Sequence, residues 1–224
     1  LAYDSNAGLA HISTASVGGF SKREEKKILT EKEININQMF NNHVYMVTKY
    51  EAECKVLDAL SKGWVNAKIF RLGNIMPRVK DGRFQKNKYD NGFLSRMQTI
   101  LNTRAIPKSY LNMKIDLSPV DLCAQAIVKL LGITSPRTIY HIVNDNFIKV
   151  KKIFKHIELT EVTIEQEIEK IKQLNNPYDA HLLNDLLNPN LIETPVSVRN
   201  TIFQLNKAHF KWNSINKNYI EKIF

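Results

Sequence analysis

His11-Ile12-Ser13-Thr14-Ala15-Ser16-Val17, with Tyr45-Met46-Val47-Thr48-Lys49 after it, organises this 224-residue chain. Leu9 to Ser13 is short, apolar and bounded by small residues, the signature of a buried strand in a parallel sheet. Thr14 to Gly19 then turns. In an open α/β sheet, residues just past the carboxyl end of a strand line the ligand crevice, which puts Ser13, Thr14 and Ser16 where chemistry would be. From about Asn41 to Leu60 the pattern becomes helical, with Val44, Val47, Ala52, Val56, Leu57 and Leu60 at helical spacing and Gly63 as the stop. On that helix Tyr45 and Lys49 are four apart and share one face. An ammonium beside a phenol favours the phenolate and makes the phenol a useful acid near neutral pH. A hydroxyl from the strand end could share the proton-donating task. Alone, Tyr-x-x-x-Lys arises by chance on ordinary amphipathic helices, so its surroundings decide its meaning.

The remainder extends the same architecture. Residues 21–37 are polar and charged and predict a solvent-exposed loop. Val65 to Phe70 is the next strand, and Arg71-Leu72-Gly73-Asn74-Ile75-Met76-Pro77 after it brings a Gly-Asn turn to the strand-end crevice. Residues 78–92 read as a loop, Phe93 to Thr103 as a helix and Met113 to Leu117 as a short strand. Ser118 is the expected N-cap of a helix with Pro119 at its first position and Asp121 in its first turn, running to about Leu131 and stopping at Gly132. Thr138 to Val143 is a further strand. Mostly helical stretches follow at about 149–157, 164–174, 179–187, 197–207 and 215–223. Strands joined by helical crossovers predict an α/β fold with a parallel sheet, then a small helical appendage.

Composition narrows the function classes. Hydrophobic residues make up 43% and charged residues 24%, a balance typical of globular proteins. No apolar run is long enough to span a bilayer, and the amino terminus does not read as a secretory signal, so a cytoplasmic protein without a membrane partner is expected. The chain starts at Leu1 rather than Met and is expected to be part of a longer protein. Cys54 and Cys123 predict free thiols, and no Cys/His cluster has metal-ligand spacing. The formal net charge is +10. The lysines are spread along the chain without interleaved aromatics, which argues against nucleic acid and favours an anionic cofactor or an acidic protein partner.

These motifs together resemble a known family. His11 to Val17 and Tyr45-x-x-x-Lys49 with Glu51-Ala52-Glu53 are similar to the extended short-chain dehydrogenase/reductases. Arg71-Leu72-Gly73-Asn74-Ile75-Met76, Asp81-Gly82-Arg83-Phe84-Gln85, Asn87, Asn91 and Ile115 to Asp121 resemble the terminal thioester-reductase domains of nonribosomal peptide synthetases. So does the close, Thr201, Leu205, Phe210-x-Trp212 and Tyr219. Carboxylic acid reductases and fatty acyl-CoA reductases share much of this pattern. The resemblance implies a Rossmann-like parallel sheet over residues 1–148, with substrate-pocket segments at about 78–118, and a helical substrate subdomain over 149–224.

It also implies a Thr14–Tyr45–Lys49 triad. Tyr45 would protonate the oxygen developing on the substrate carbonyl, and Lys49 would favour the phenolate and bind the nicotinamide ribose. Ser13, Gly73, Asn74 and Ile75 would complete the cofactor site, with Ser16, Gln85, Asn87 and Asn91 on the substrate side. The cofactor implied is NADPH, with NADH open. The implied partner is a carrier protein presenting a thioester on its phosphopantetheine arm, reduced to an aldehyde or alcohol. Pro77 departs from the glycine such reductases often carry. None of the eight glycines forms a Gly-x-Gly-x-x-Gly or Gly-x-x-Gly-x-x-Gly turn. A dinucleotide fold needs that turn to meet the pyrophosphate. The chain therefore resembles the C-terminal portion of such a domain, with the amino-terminal half of the sheet as a further partner and little activity by itself. Two other readings stand: another extended reductase, such as a fatty acyl-CoA reductase or a nucleotide-sugar epimerase or dehydratase, and an inactive half-domain that only docks a carrier protein.

Overall fold

In the computed structural model, residues 2–135, 137–174, 176 and 179–223 are described, Tyr89 by its backbone alone. Strand β1 (Gly8–Thr14) runs into a 3-10 turn at Ala15–Gly18, and β2 (Phe20–Lys22) follows. Helix α1 (Val44–Ser61) crosses to β3 (Asn66–Leu72), then comes the two-residue β4 (Ile75–Met76). Helix α2 (Gly92–Thr103), β5 (Ala105–Pro107), α3 (Lys108–Leu111), β6 (Lys114–Ile115) and β7 (Ser118–Pro119) lead into α4 (Val120–Leu131) and β8 (Ile139–Ile142). The rest is β9 (Ile148–Lys149), α5 (Val150–Ile153), β10 (Thr160–Val162), α6 (Ile164–Leu174), α7 (Ala180–Leu187), β11 (Leu191–Glu193), α8 (Arg199–Lys207) and α9 (Lys217–Ile223).

The central sheet is parallel throughout, in the order β1-β3-β8, with Thr14 beside Leu72 and Leu72 beside Ile142. Helical crossovers impose this arrangement, since parallel neighbours cannot be joined by a tight hairpin. The core is Rossmann-like, as expected. Its face packs Phe70, Tyr140 and Ile142 against Leu122, Cys123, Ala126 and Leu130 of α4. Leu205 of α8, Phe210 and Trp212 join that cluster, so the chain returns to the sheet after its helical excursion. A second cluster gathers α2, α6, α7 and α9 around Met97, Ile100, Ile171, Leu182 and Tyr219. Among the described residues no strand pairs with the outer rim of β1. Among the described residues its backbone there receives only the Lys49 ammonium on the Ile12 carbonyl, and the Ile12 side chain is 44% exposed.

Two local expectations are corrected. Residues 21–37 are a solvated loop only in part: Leu29 is fully buried, bridges Val196, and accepts and donates backbone bonds there. Glu31 is buried too, its carboxylate taking the backbone N–H and hydroxyl of Thr201. The polar composition hid this because the loop's charges satisfy the first turn of a helix elsewhere in the chain. Ser118 is not an N-cap. Its hydroxyl donates to Asp116 and accepts from the Asn144 N–H, while Asp121 takes the N–H groups of Leu122 and Val79. His11 has a buried Nε2 with no partner among the described residues.

Cys54 and Cys123 are free. Among the described residues no helix is long and apolar enough to cross a membrane, and no His/Cys/Asp/Glu group is arranged to hold a metal ion.

Candidate active site

α1 is fastened to β1 by one stripe of residues. Tyr45, Lys49 and Glu53 recur every four positions and so lie on one helix face. The Lys49 ammonium donates to the Ile12 carbonyl at 3.2 Å, and the Glu53 carboxylate accepts from the Ser13 hydroxyl at 2.5 Å. The first turn of α1 lies at the carboxyl end of β1. There His43, its N-cap, faces the ring of Phe20 at 6.5 Å and that of Tyr45 at 6.4 Å. Tyr45 is 51% exposed, so its phenol is open to a ligand. Thr14 caps the turn after β1, its oxygen accepting the Ser16 N–H at 3.2 Å. That bond uses a lone pair and leaves the Thr14 hydroxyl hydrogen free to donate.

Below this surface sits a buried ionic network. Arg71 on β3 donates through Nε and Nη2 to both oxygens of Glu53, and neither side chain is exposed. Nη2 also reaches the Glu33 carbonyl. Nη1 lies 3.2 Å from Nε2 of His141, whose Nδ1 lies 2.6 Å from the Ser197 carbonyl. A guanidinium can only donate, so His141 accepts at Nε2 and carries its proton on Nδ1. Burial, with the Arg71 charge beside it, pushes the His141 pKa down to about 4. Ser13 belongs to this network: its hydroxyl is directed at Glu53, inside the fold.

The turn after β3 is held just as tightly. Asp116 accepts from the Asn74 N–H and side-chain amide, both at 2.9 Å, and from the Ser118 hydroxyl at 2.7 Å. Burial pushes the Asp116 carboxyl above its usual range, against those three bonds. A Cβ at Gly73 would stand 2.3 Å from Asp116 Oδ2, so only glycine admits this clamp. The side-chain amide of Asn74 is thus turned onto Asp116. Ile75, next in the chain, opens β4 and pairs with Ser118.

A cleft of about 750 Å³ opens beside these turns. Ala15, Asn74, Asp116 and Val143 line its strand-end side, and α2, α7 and β11 line the other. Its walls are largely apolar, with Phe93, Met97, Leu182 and Ile192 among them. Arg96 and Asp185 meet there in a two-pronged ion pair at 2.5 and 3.1 Å. Burial opposes the charge on Arg96, but Asp185 outweighs it and raises the guanidinium further. Burial and the neighbouring Arg96 lower His181, and burial lifts Tyr110 to about 12.

Of the residues singled out from the sequence, Asn74 lines this cleft. Gln85 and Asn87 are exposed in the loop before α2, the Gln85 amide on the Asn87 carbonyl and the Asn87 amide on Asp90. Asn91 caps α2, accepting from Phe93 and Leu94 and donating to the Ile75 carbonyl. Ser16 is half-buried in the turn after Thr14. The cleft residues Arg96, Asp185, His181 and Glu193 had no sequence signal, because partners such as Arg96 and Asp185 lie far apart in the chain.

Residues 1–127 match the sequence profile of an NAD-binding family described as male sterility protein. The chain belongs to the male sterility protein family. No curated protein matches this family member. Among solved structures, a thiolation-reductase di-domain from an archaeal non-ribosomal peptide synthetase is 27% identical, with a TM-score of 0.80 over 96% of this chain and 47% of its own. The reductase domain of the aureusimine biosynthetic cluster is also 27% identical, with a TM-score of 0.87 over 98% and 60%. RMD from Pseudomonas aeruginosa, solved with NADPH, is 15% identical and similar in fold, with a TM-score of 0.56 over 97% and 65%. This male sterility family member therefore spans less than two thirds of each of those chains.

Proposed function

We propose that the chain is the proton-donating and acyl-binding portion of an NADPH-dependent reductase that releases a carrier-bound acyl or peptidyl thioester as an aldehyde or alcohol. The observation that carries this reading is the Lys49 ammonium on the Ile12 carbonyl, which fastens the Tyr45–Lys49 face to β1 two residues before Thr14, while Ala15 and His43, close in sequence to Thr14 and Tyr45, line a large, mainly apolar cleft. The two reductase domains at 27% identity support the substrate class.

The residues fit the nicotinamide end of a dinucleotide. Tyr45 is open, and the Lys49 ammonium uses one of its three donors on Ile12, leaving others for ribose hydroxyls. Asn74 and Ile75 border that end, whereas Ser13 acts beneath it through Glu53. When bound, the cofactor would supply the hydride that reduces the thioester carbonyl. Tyr45 would give a proton to the carbonyl oxygen as charge develops there, with Thr14 as a second donor to the same oxygen. The resulting hemithioacetal would break its C–S bond to release the aldehyde and return the thiol to the carrier arm. Residues 1–148 would form the cofactor side, with pocket segments at 78–118, and residues 149–224 most of the acyl side. The positive net charge suits an acidic carrier protein.

The test uses the longer protein that contains this chain, loaded with a carrier-bound thioester, followed by loss of NADPH absorbance. Tyr45→Phe should cost roughly two to four powers of ten in turnover and leave cofactor binding near the parent value. Undiminished reduction by this variant would remove Tyr45 from the mechanism.

A further inference from the structure

We infer that the surface formed by β6, β9 and α5 is where the carrier protein docks, its acidic face laid across a cluster of lysines at one mouth of the cleft. The inference rests on the thioester reading above and names the partner's site within it.

Lysines from two separate parts of the chain meet here. β6 and β9 pair antiparallel, and their register sets Lys114 directly opposite Lys149. The Val150 N–H closes the same junction on the Met113 carbonyl at 3.0 Å. α5 begins at Val150 and carries Lys151 and Lys152, with Lys155 in the turn behind it. Val150 and Ile153 are buried in the helical cluster, which leaves the lysines between them on the outside of α5. Lys149 is half-buried and the other lysines are exposed. Among the described residues none of them makes an ion pair or a side-chain hydrogen bond. Asp145 and Glu158, the acids that bracket this segment in the chain, pair with none of them.

Like charges directly opposite one another on paired strands repel, so the Lys114–Lys149 arrangement costs stability in the chain by itself. Carboxylates from a partner, placed across these ammonium groups, would turn the repulsion into attraction and steer the encounter.

The patch is continuous with the cleft. Met113 is 36% exposed and Phe147 46% exposed, and both line the cleft together with Lys114. An exposed apolar pair bordered by charge has the make-up of a protein interface, apolar at its centre and polar at its rim. Nucleic acid or an anionic lipid surface would engage the cations alone. Here the cations border an entrance to the same space that Ala15 and His43 line, close in sequence to the proposed proton donors. A carrier protein uses both features, setting its acidic face on the lysines and passing its acyl arm between Met113 and Phe147.

The test uses the longer protein that contains this chain and presents one acyl thioester in two forms, on a free acyl carrier protein and on pantetheine. Lys151→Glu/Lys152→Glu changes exposed residues that do not line the cleft. It should lower kcat/KM for the carrier-bound form by at least about tenfold, through KM, and leave the pantetheine form within about twofold of the parent. Lys151→Arg/Lys152→Arg should match the parent, as should the charge-matched Lys129→Glu/Lys211→Glu, at exposed positions outside the patch. Raising salt from about 0.05 to about 0.5 M should weaken the parent's use of the carrier and hardly change that of Lys151→Glu/Lys152→Glu. Equal losses with the two forms, no loss with either, or the same loss in Lys129→Glu/Lys211→Glu would overturn the docking site and leave the thioester reading intact. If the parent reduces neither form, the thioester reading fails, and fluorescence anisotropy of a labelled carrier protein decides the surface. Carrier binding that Lys151→Glu/Lys152→Glu abolishes keeps the site. Binding that is absent or unchanged in that variant overturns it, as does lysine-dependent binding of single-stranded DNA or phosphatidylserine vesicles in place of the carrier.

Discussion

Replacing Arg71 by Met isolates the energetic role of the network under the candidate active site. The Glu53 carboxylate has four close contacts: three from the Arg71 guanidinium at 2.7 to 3.1 Å and one from Ser13. Both partners are fully buried. Met keeps much of the stem volume and removes the charge, leaving Glu53 with Ser13 alone. Breaking a buried pair from one side costs about 3–5 kcal/mol, a large share of the roughly 5–15 kcal/mol that holds a domain together. Glu53→Leu should cost a similar amount by stranding the guanidinium, softened by its bonds to the Glu33 carbonyl and His141. The double variant strands no charge and should lose far less than the sum, with a coupling of at least about 2 kcal/mol. Urea unfolding followed by circular dichroism gives all four corners of the cycle. Additive losses, or an Arg71→Met variant within about 1 kcal/mol of the parent, would refute the idea that this pair is dry and mutually dependent.

Two other outcomes follow from the same geometry. Gly73→Ala places a methyl 2.3 Å from Asp116 Oδ2 and 3.1 Å from Val143, so it should destabilise by the roughly 1–3 kcal/mol typical of overpacking; urea unfolding unchanged from the parent would show that Asp116 gives way freely. His141 titrates near 4 when folded against an ordinary 6.5, so the unfolded chain takes up its proton first. Its contribution is complete above pH 6.5 and is lost as pH falls towards 4, up to about 3 kcal/mol from the size of the shift. His141→Gln should flatten that part of the stability–pH curve, and an equal slope in variant and parent would assign the acid loss to other groups.

What the sequence made legible was local. Leu9 to Ser13 and Val65 to Phe70 announce strands through short apolar runs, and the helix ends at Gly63 and Gly132 follow from turn chemistry. Hydrophobic spacing marked α1 but missed what it buries. Val44, chosen for its periodicity, is exposed, whereas Glu53 is fully buried because Arg71 and Ser13 wait for it. A carboxylate whose partner lies on another strand has no pattern to read. Glu31 and Leu29, inside a stretch dense in lysine and glutamate, were hidden for the same reason. The cleft was the least legible part. Arg96 comes from α2, Asp185 from α7 and Glu193 from a three-residue strand, and only the fold brings them to one space.

The rim of β1 that no described strand pairs with makes this sheet an open template. Alternate residues of Gly8 to Thr14 present backbone donors and acceptors there, the others pairing with β3, and the Ile12 side chain stands half in water beside them. Backbone pairing is indifferent to sequence, so such a rim accepts whatever strand arrives first at sufficient local concentration. Covalent linkage to a complementary segment raises that concentration to the millimolar range and makes the right occupant win. For an untethered chain the same rim is a seam along which copies can join edge to edge. Handling it dilute, or with a strand supplied in trans, is the practical corollary of its topology.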